Sequence, residues 1–439
     1  MKLRNLFLTF AAFAVGVTGV LESKTAVAAG EVFFPVMVYR TGAYAPSGIP
    51  IANGFRDYYT LLNKRDGGIE GNKVIWEECE TKYNTKVGVE CYEKLKGKHG
   101  GAVIISPYST GLTYQLIPKA PVDEIPILSM GYGRTAAADG RVFPWVFNFP
   151  STYWSQASAF INYVAQQEGG LDKLKGLHIA HVYHNSAYGK EANPTLQALS
   201  KKFGYKLTLL AVDHPGQEQK ATWLQIRRKK PKWVFMSGWG VMNQVAVKEA
   251  ASISFPMDHF VGNWWSGSDA DVIPAGDGSK GYKSTAMHSA GTGAKVFKDI
   301  IKYVYGGDAA KAKENQVGEV LYNRAVLNAA FATEAVRDAA KAAGGKPSGK
   351  QVRDALESLK IDDARLAKMG MSGFTRPVSV SCLNHEGDGA GVFIQQWTGD
   401  KWEITGDFVP AMSDVVRPMI ETAAANYAKE NKITPRSCN

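Results

Sequence analysis

The sequence has no Cys-x-x-Cys pair, no His-Glu-x-x-His and no Gly-x-Ser-x-Gly turn. Each of those chemistries needs its ligands or nucleophile at fixed spacing, so redox-thiol, zinc-hydrolase and serine-hydrolase readings fall away. The eight histidines show no metal-ligand spacing. His184 and His288, nearest to strand ends, have no adjacent nucleophile or carboxylate pattern and read as hydrogen-bonded surface or hinge residues. Paired carboxylates for acid–base work are also missing from the strand-end turns, since Asp213 and Asp269 follow different strands. No catalytic group, metal or cofactor is expected. Charge of one sign does not collect either: 51 Lys and Arg against 41 Asp and Glu give +10, mostly interleaved. The one dense run, Arg227-Arg228-Lys229-Lys230-Pro231-Lys232, sits where a helix hands over to a strand, and cations there complement the helix dipole. Nucleic acid is not an expected partner.

Long apolar runs are scarce too. A bilayer-spanning helix takes about 20 apolar residues, and the one candidate, residues 6–21, is shorter and breaks at Glu22. Lys2 and Arg4 precede it and Ala26-Val27-Ala28 follows a short polar stretch, the layout of a cleaved secretory leader. Residues 1–28 are therefore read as a signal peptide cut near Ala28, and the mature chain as exported to the periplasm and soluble. Its removal lowers the net charge to +8 and leaves about 410 residues, enough for two domains of ordinary size. The four cysteines, Cys79, Cys91, Cys382 and Cys438, read in an exported chain as two disulfides. Three pairings are possible; sequence order favours the two non-crossing loops, Cys79–Cys91 and Cys382–Cys438.

From residue 31 onward, short β-branched runs alternate with helical patterns. Strands are expected at 31–39, 74–76, 102–105 and 127–128, with helices at 49–64 and 85–96. The pattern restarts with a helix at 153–167, and strands at 178–183, 206–212, 233–236 and 259–261 follow, separated by helices. Two doubly wound α/β lobes with parallel sheets are the expected fold. Long helical stretches at 317–343 and 349–359 come next. The tail then alternates like a strand over 374–404, which suggests a chain returning to lobes already built.

Ligands of open α/β sheets sit beyond the carboxyl ends of the strands. Gly131-x-Gly133-x-x-Ala136 follows one such end and formally matches a dinucleotide fingerprint. It is not on the first strand of its lobe, and no acid follows at the expected spacing of about 20 residues. What the strand ends do carry is aromatic and hydroxyl side chains: Tyr39, Tyr44, Tyr108, Ser109, Thr110, Tyr132, Thr135, Tyr188, Trp239, Trp264 and Trp265. A pocket of this kind is apolar with a few placed donors. It can bind a small molecule but has no group to convert it.

Several stretches together carry a resemblance. They are Thr41-Gly42-Ala43-Tyr44; Asp66-Gly67-Gly68-Ile69-Glu70-Gly71; Ser109-Thr110; Ser186-Ala187-Tyr188-Gly189; and Val261-Gly262-Asn263-Trp264. In this order, over essentially the whole mature chain, they resemble the type I periplasmic solute-binding proteins of ABC importers, the group that includes leucine-, isoleucine- and valine-binding members. The resemblance implies two lobes joined by a three-segment hinge near Pro150, Thr285 and Gly391. One lobe would comprise residues 29–150 and 286–391, the other 151–285 and 392–439. It further implies a monomer that meets the importer's membrane subunits. The resemblance would place ligand at Ser109 and Thr110, at Gly131, Gly133 and Thr135, and at Tyr188 and Trp239, and the strand-end reading adds Tyr44, Tyr108, Tyr132 and Trp264. Amino-acid-binding members place a glutamate where Trp264 falls. The resemblance therefore turns toward an aromatic or other organic acid, with Arg40 or Arg134 available to its carboxylate. Branched-chain amino-acid or amide binding, with Asp269 supplying the acid, is the alternative, as is a sensor presenting ligand to a membrane receptor.

Overall fold

The computed structural model describes residues 30–438; the leader read at 1–28 lies outside them. The first lobe is built on Glu31–Val38, whose Val-Phe-Phe-Pro-Val-Met-Val run is buried on both faces, as a central parallel strand must be. It pairs in parallel with Lys73–Glu80, from Glu31 opposite Lys73 to Val38 opposite Glu80. Parallel bridges from Phe33 to Ala102, Val36 to Ser106 and Ile105 to Ile127 carry the sheet on to Ile127–Leu128 and Val146–Phe147. The expected strand at 102–105 is present as these bridges.

Helix Ala45–Asp66 has Pro46 in its first turn and ends on Gly67 at φ +71°, the left-handed conformation that glycine adopts at low cost. It packs against helix Val320–Ala343. Gly54 makes the approach possible: a Cβ there would lie 2.5 Å from the Tyr322 carbonyl oxygen. This pairing fixes a long, almost wholly buried helix to the lobe whose strand ends face the second lobe.

The second lobe is a seven-stranded sheet in the spatial order Trp402–Pro410, Gly391–Trp397, Lys283–Ala286, Phe260–Gly262, Trp233–Ser237, His178–His184, Lys206–Val212. The last five are mutually parallel. The returning tail adds an antiparallel hairpin at the edge, because so short a connection can only reverse the strand direction. The chain thus enters this lobe ahead of helix Tyr153–Glu168, leaves after Ala286 and comes back at Gly391. Its last helix, Ser413–Glu430, lies against both lobes. Ala424 and Ala428 join the core around Phe33 and Ile105, while Val416 and Ile420 meet Ala138 and Trp154. Disulfides join Cys79 to Cys91 and Cys382 to Cys438. Among the described residues no helix is long and apolar enough to cross a membrane, and no cluster of His, Cys, Asp or Glu could hold a metal.

Candidate functional site between the lobes

The strand ends of the two lobes meet, and their aromatic side chains interlock. Tyr108 and Tyr132 of the first lobe touch Trp265 of the second at ring-centre distances of 5.7 and 4.3 Å, the latter stacked. Trp265 also meets Trp239 at 5.4 Å and Trp264 at 4.9 Å. Trp239 reaches Tyr39 at 6.1 Å and Tyr83 at 6.2 Å, and Tyr153 links Tyr132 to Tyr188. Trp264 and Trp265 are at most 1% exposed. Such ring pairs contribute about 0.5–1.5 kcal/mol each beyond area burial, and those of Tyr39, Tyr83, Tyr108 and Tyr132 with the second-lobe rings do so across the cleft.

At the centre is Arg324, from helix Val320–Ala343, with no exposed surface. Its guanidinium lies 3.9 Å from the Trp264 ring centre and 4.9 Å from that of Trp265, and Nη1 donates to the Trp264 carbonyl oxygen. Nε and Nη2 have no hydrogen-bond partner in the protein. Among the described residues no carboxylate oxygen approaches within the 4.0 Å of an ion pair. Burial lowers its pKa to about 9, opposed by the phenols of Tyr108 and Tyr132 and by Asp271. Tyr108 Oη, Tyr132 Oη, Trp239 Nε1 and Trp264 Nε1 are likewise buried without a partner. Buried polar groups are normally satisfied, so these bare donors, with the unpartnered acceptors Gln156 Oε1, Asn148 Oδ1 and His288 Nε2 beside them, mark the candidate site.

Two further contacts clamp the rim. Glu191 of the second lobe reaches into the first and accepts from Thr135 Oγ1 at 2.7 Å, Thr135 N at 3.3 Å and the Tyr114 hydroxyl. Burial raises its pKa despite those donors. Tyr44 Oη of the first lobe lies 3.0 Å from His184 Nε2 and 2.9 Å from His214 Nδ1 of the second.

A family model described as periplasmic binding protein matches residues 31–400. The chain belongs to that family. This type I periplasmic binding protein shares 42% identity with a protein of the Pseudomonas fluorescens group described as an ABC transporter permease. That similarity covers 93% of this chain and 99% of the other, with a TM-score of 0.85. A branched-chain amino-acid ABC transporter protein from Thermus thermophilus with bound valine is 19% identical, covers 90% and 99%, and gives 0.75. A solute-binding protein from R. palustris in complex with benzoate is 16% identical, covers 87% and 97%, and gives 0.68. No curated protein matches the sequence. The protein is thus a solute-binding component of ABC transporters, extracytoplasmic and non-enzymatic as the family is, and its fold is two-lobed α/β as expected.

The periplasmic binding protein brings Tyr44, Tyr108, Tyr132, Tyr188, Trp239 and Trp264 together at the lobe junction. The expected polar holders are there too, but engaged by the protein itself. Ser109 Oγ accepts from Leu112 N of its own helix, and Thr110 Oγ1 lies 3.3 Å from Tyr153 Oη. Thr135 is taken by Glu191, and a Cβ at Gly133 would lie 2.6 Å from the same carboxylate. The Gly131 carbonyl accepts from Trp265 Nε1 at 3.2 Å. Three charged residues are placed otherwise than the sequence suggests. Arg40 is spent on Glu78, through Nε at 2.8 Å and Nη2 at 2.7 Å. Arg134 lies over the ring of Tyr427, 4.6 Å from its centre. Asp269 accepts from Val320 N at the start of the long helix, where a carboxylate complements the helix dipole. His184 and His288 are buried rather than superficial. Sequence reasoning missed Arg324 altogether, and also Tyr83, which follows the strand Lys73–Glu80 as the other tyrosines follow theirs.

Proposed function

We propose that this protein carries a small organic acid, foremost an aromatic one, at the aromatic junction between its lobes. As an exported monomer freed of its leader near Ala28, it would deliver that ligand to the membrane subunits of an ABC importer. The observation that carries the reading is the buried guanidinium of Arg324, unpartnered at Nε and Nη2, beside the unpartnered donors of Tyr108, Tyr132, Trp239 and Trp264. A ligand suited to them offers oxygens and an apolar, flat body. An α-amino acid would bring an ammonium to a junction already holding an unpaired cation, and burying a second one costs several kcal/mol. Asp269, the acid nearest in sequence to Trp264, is occupied by a backbone amide. Benzoate bound to one structural relative and valine bound to another define the two ligand classes to compare.

Isothermal calorimetry with benzoate, 3,4-dihydroxybenzoate, leucine and valine tests this. The acids are expected to bind at one site and to be recovered unaltered, and the amino acids to bind at least tenfold more weakly, about 1.4 kcal/mol. Micromolar binding of leucine or valine with none of either acid would overturn the proposal.

A further inference from the structure

Arg324 is unusual within this protein as well as within its pocket. A guanidinium presents two donor edges, and the side edge formed by Nε and Nη2 matches the two oxygens of a carboxylate. Arg40 shows that fit in full, with Nε and Nη2 each on one oxygen of Glu78 at 2.8 and 2.7 Å. Arg324 has the same edge bare and fully buried. Its remaining donor, Nη1, is tied to the Trp264 carbonyl, and its flat faces are set against Trp264 and Trp265. The side chain is therefore held in one orientation, with the unused fork fixed in space.

We infer that Arg324 is the anion anchor of the interlobe site, taking one ligand carboxylate edge-on through Nε and Nη2. This deepens the organic-acid reading and rests on it. The assigned class is a monocarboxylate with a flat apolar body, because one fork accepts one carboxylate and the surrounding walls are rings. The anchor also explains why an unpaired cation persists in a core. A charge buried without a counter-ion is a penalty for the protein alone, and it is relieved when the ligand supplies the anion. Arg324 joins the lobes as well: its helix packs on the first lobe, while its Nη1 partner belongs to the second. One residue would thus read the ligand's charge and hold the closed form.

The decisive pair of probes is benzoate and benzamide, which share shape and differ in charge. The wild-type protein is expected to prefer benzoate by about tenfold or more, and Arg324→Met to bind both within threefold of each other. Without ligand, Arg324→Met is expected to melt no lower than wild type, since it removes a desolvated cation and retains an unbranched apolar stem. A merely structural arginine predicts the opposite, a lower melting temperature with the benzoate preference intact. Should Arg324→Met not fold, NMR of the wild type serves instead. One buried arginine Nε–H signal, absent in Arg324→Lys, is expected to move downfield with benzoate and stay in place with benzamide. Benzoate preference retained in Arg324→Met, or an unmoved Nε–H signal in a benzoate-saturated protein, overturns the anchor and leaves the organic-acid reading standing. A wild type that binds no carboxylate at all overturns both.

Discussion

Acid should destabilise the folded protein through the Tyr44 clamp, and His184 sets the pH range. Tyr44 Oη can donate one hydrogen and accept one, so the two imidazole nitrogens it bridges, His184 Nε2 and His214 Nδ1, share one proton between them. The rings stand 3.9 Å apart, and Ser186 Oγ meets the other His184 nitrogen at 2.8 Å. Burial, with His214 as the second cause, lowers the His184 pKa to about 3. Partial burial also lowers the pKa of His214, opposed by Asp213. In the unfolded chain His184 takes up its proton near the ordinary value of about 6.5. Its folded pKa is depressed, so the unfolded chain binds the extra proton first. The stability it contributes is present above about pH 6.5 and is lost progressively as pH falls toward 3. At pH 5 that loss is about 2 kcal/mol, from 1.36 kcal/mol for each unit below 6.5. His181, His288 and His385, also buried and lowered, act in the same direction, so the comparison must be differential. Urea unfolding followed by tryptophan fluorescence at pH 7 and pH 5, on wild type and His184→Gln, isolates the one site. The variant should lose about 2 kcal/mol less between the two pH values. Identical losses would mean that His184 charges freely in the folded protein, and the clamp as described would be wrong.

Two other expectations can be checked by the same unfolding assay. Glu191→Ala leaves the Thr135 amide and hydroxyl and the Tyr114 hydroxyl without their acceptor; it should cost about 1–3 kcal/mol, whereas Glu191→Gln, which keeps an acceptor and removes the buried charge, should cost less at pH 7. Replacing Cys382 and Cys438 by serine opens a loop of 56 residues and should cost about 4 kcal/mol in the chain-entropy picture, against about 3 for Cys79–Cys91.

The strand ends could be read from the sequence because two local signals coincide there. A β-branched run announces the strand, and the residues just after it must face the cleft in this kind of sheet. Tyr108, Tyr132, Tyr188, Trp239 and Trp264 needed nothing more. Arg324 gave no such signal: it stands inside a helix whose apolar neighbours Leu321, Ala325 and Leu327 make it look like an ordinary helix cation. Its environment comes from Trp264 and Trp265, some sixty positions earlier, and from the lobe closure that brings them there. The same limit applies to Arg40 and Arg134, which lie close to the site in sequence yet find nearer partners. Helix Ser413–Glu430 was hidden for a different reason. Its buried stripe of Val416, Ile420, Ala424 and Ala428 is half alanine, and Pro418 interrupts it, so the apolar periodicity is faint.

What closure does to the polar atoms links these observations. At the rim the lobes satisfy each other: Glu191 with Thr135, Tyr44 with the two histidines, Trp265 Nε1 with the Gly131 carbonyl. At the centre they do not, and each buried polar group without a partner costs about 1–3 kcal/mol. Tyr108, Tyr132, Trp239, Trp264 and Arg324 are five such residues in one place, and opening the hinge would return their donors to water. The rim thus favours the closed arrangement and the centre opposes it. A ligand that satisfies the centre shifts that balance by its differential affinity for the closed form. Thr135 and Gly131, which the resemblance assigns to ligand, make lobe-to-lobe contacts with Glu191 and Trp265. On the reading proposed above, ligand recognition would fall inward, on the rings and Arg324, so that capture and closure would be decided by the same few side chains.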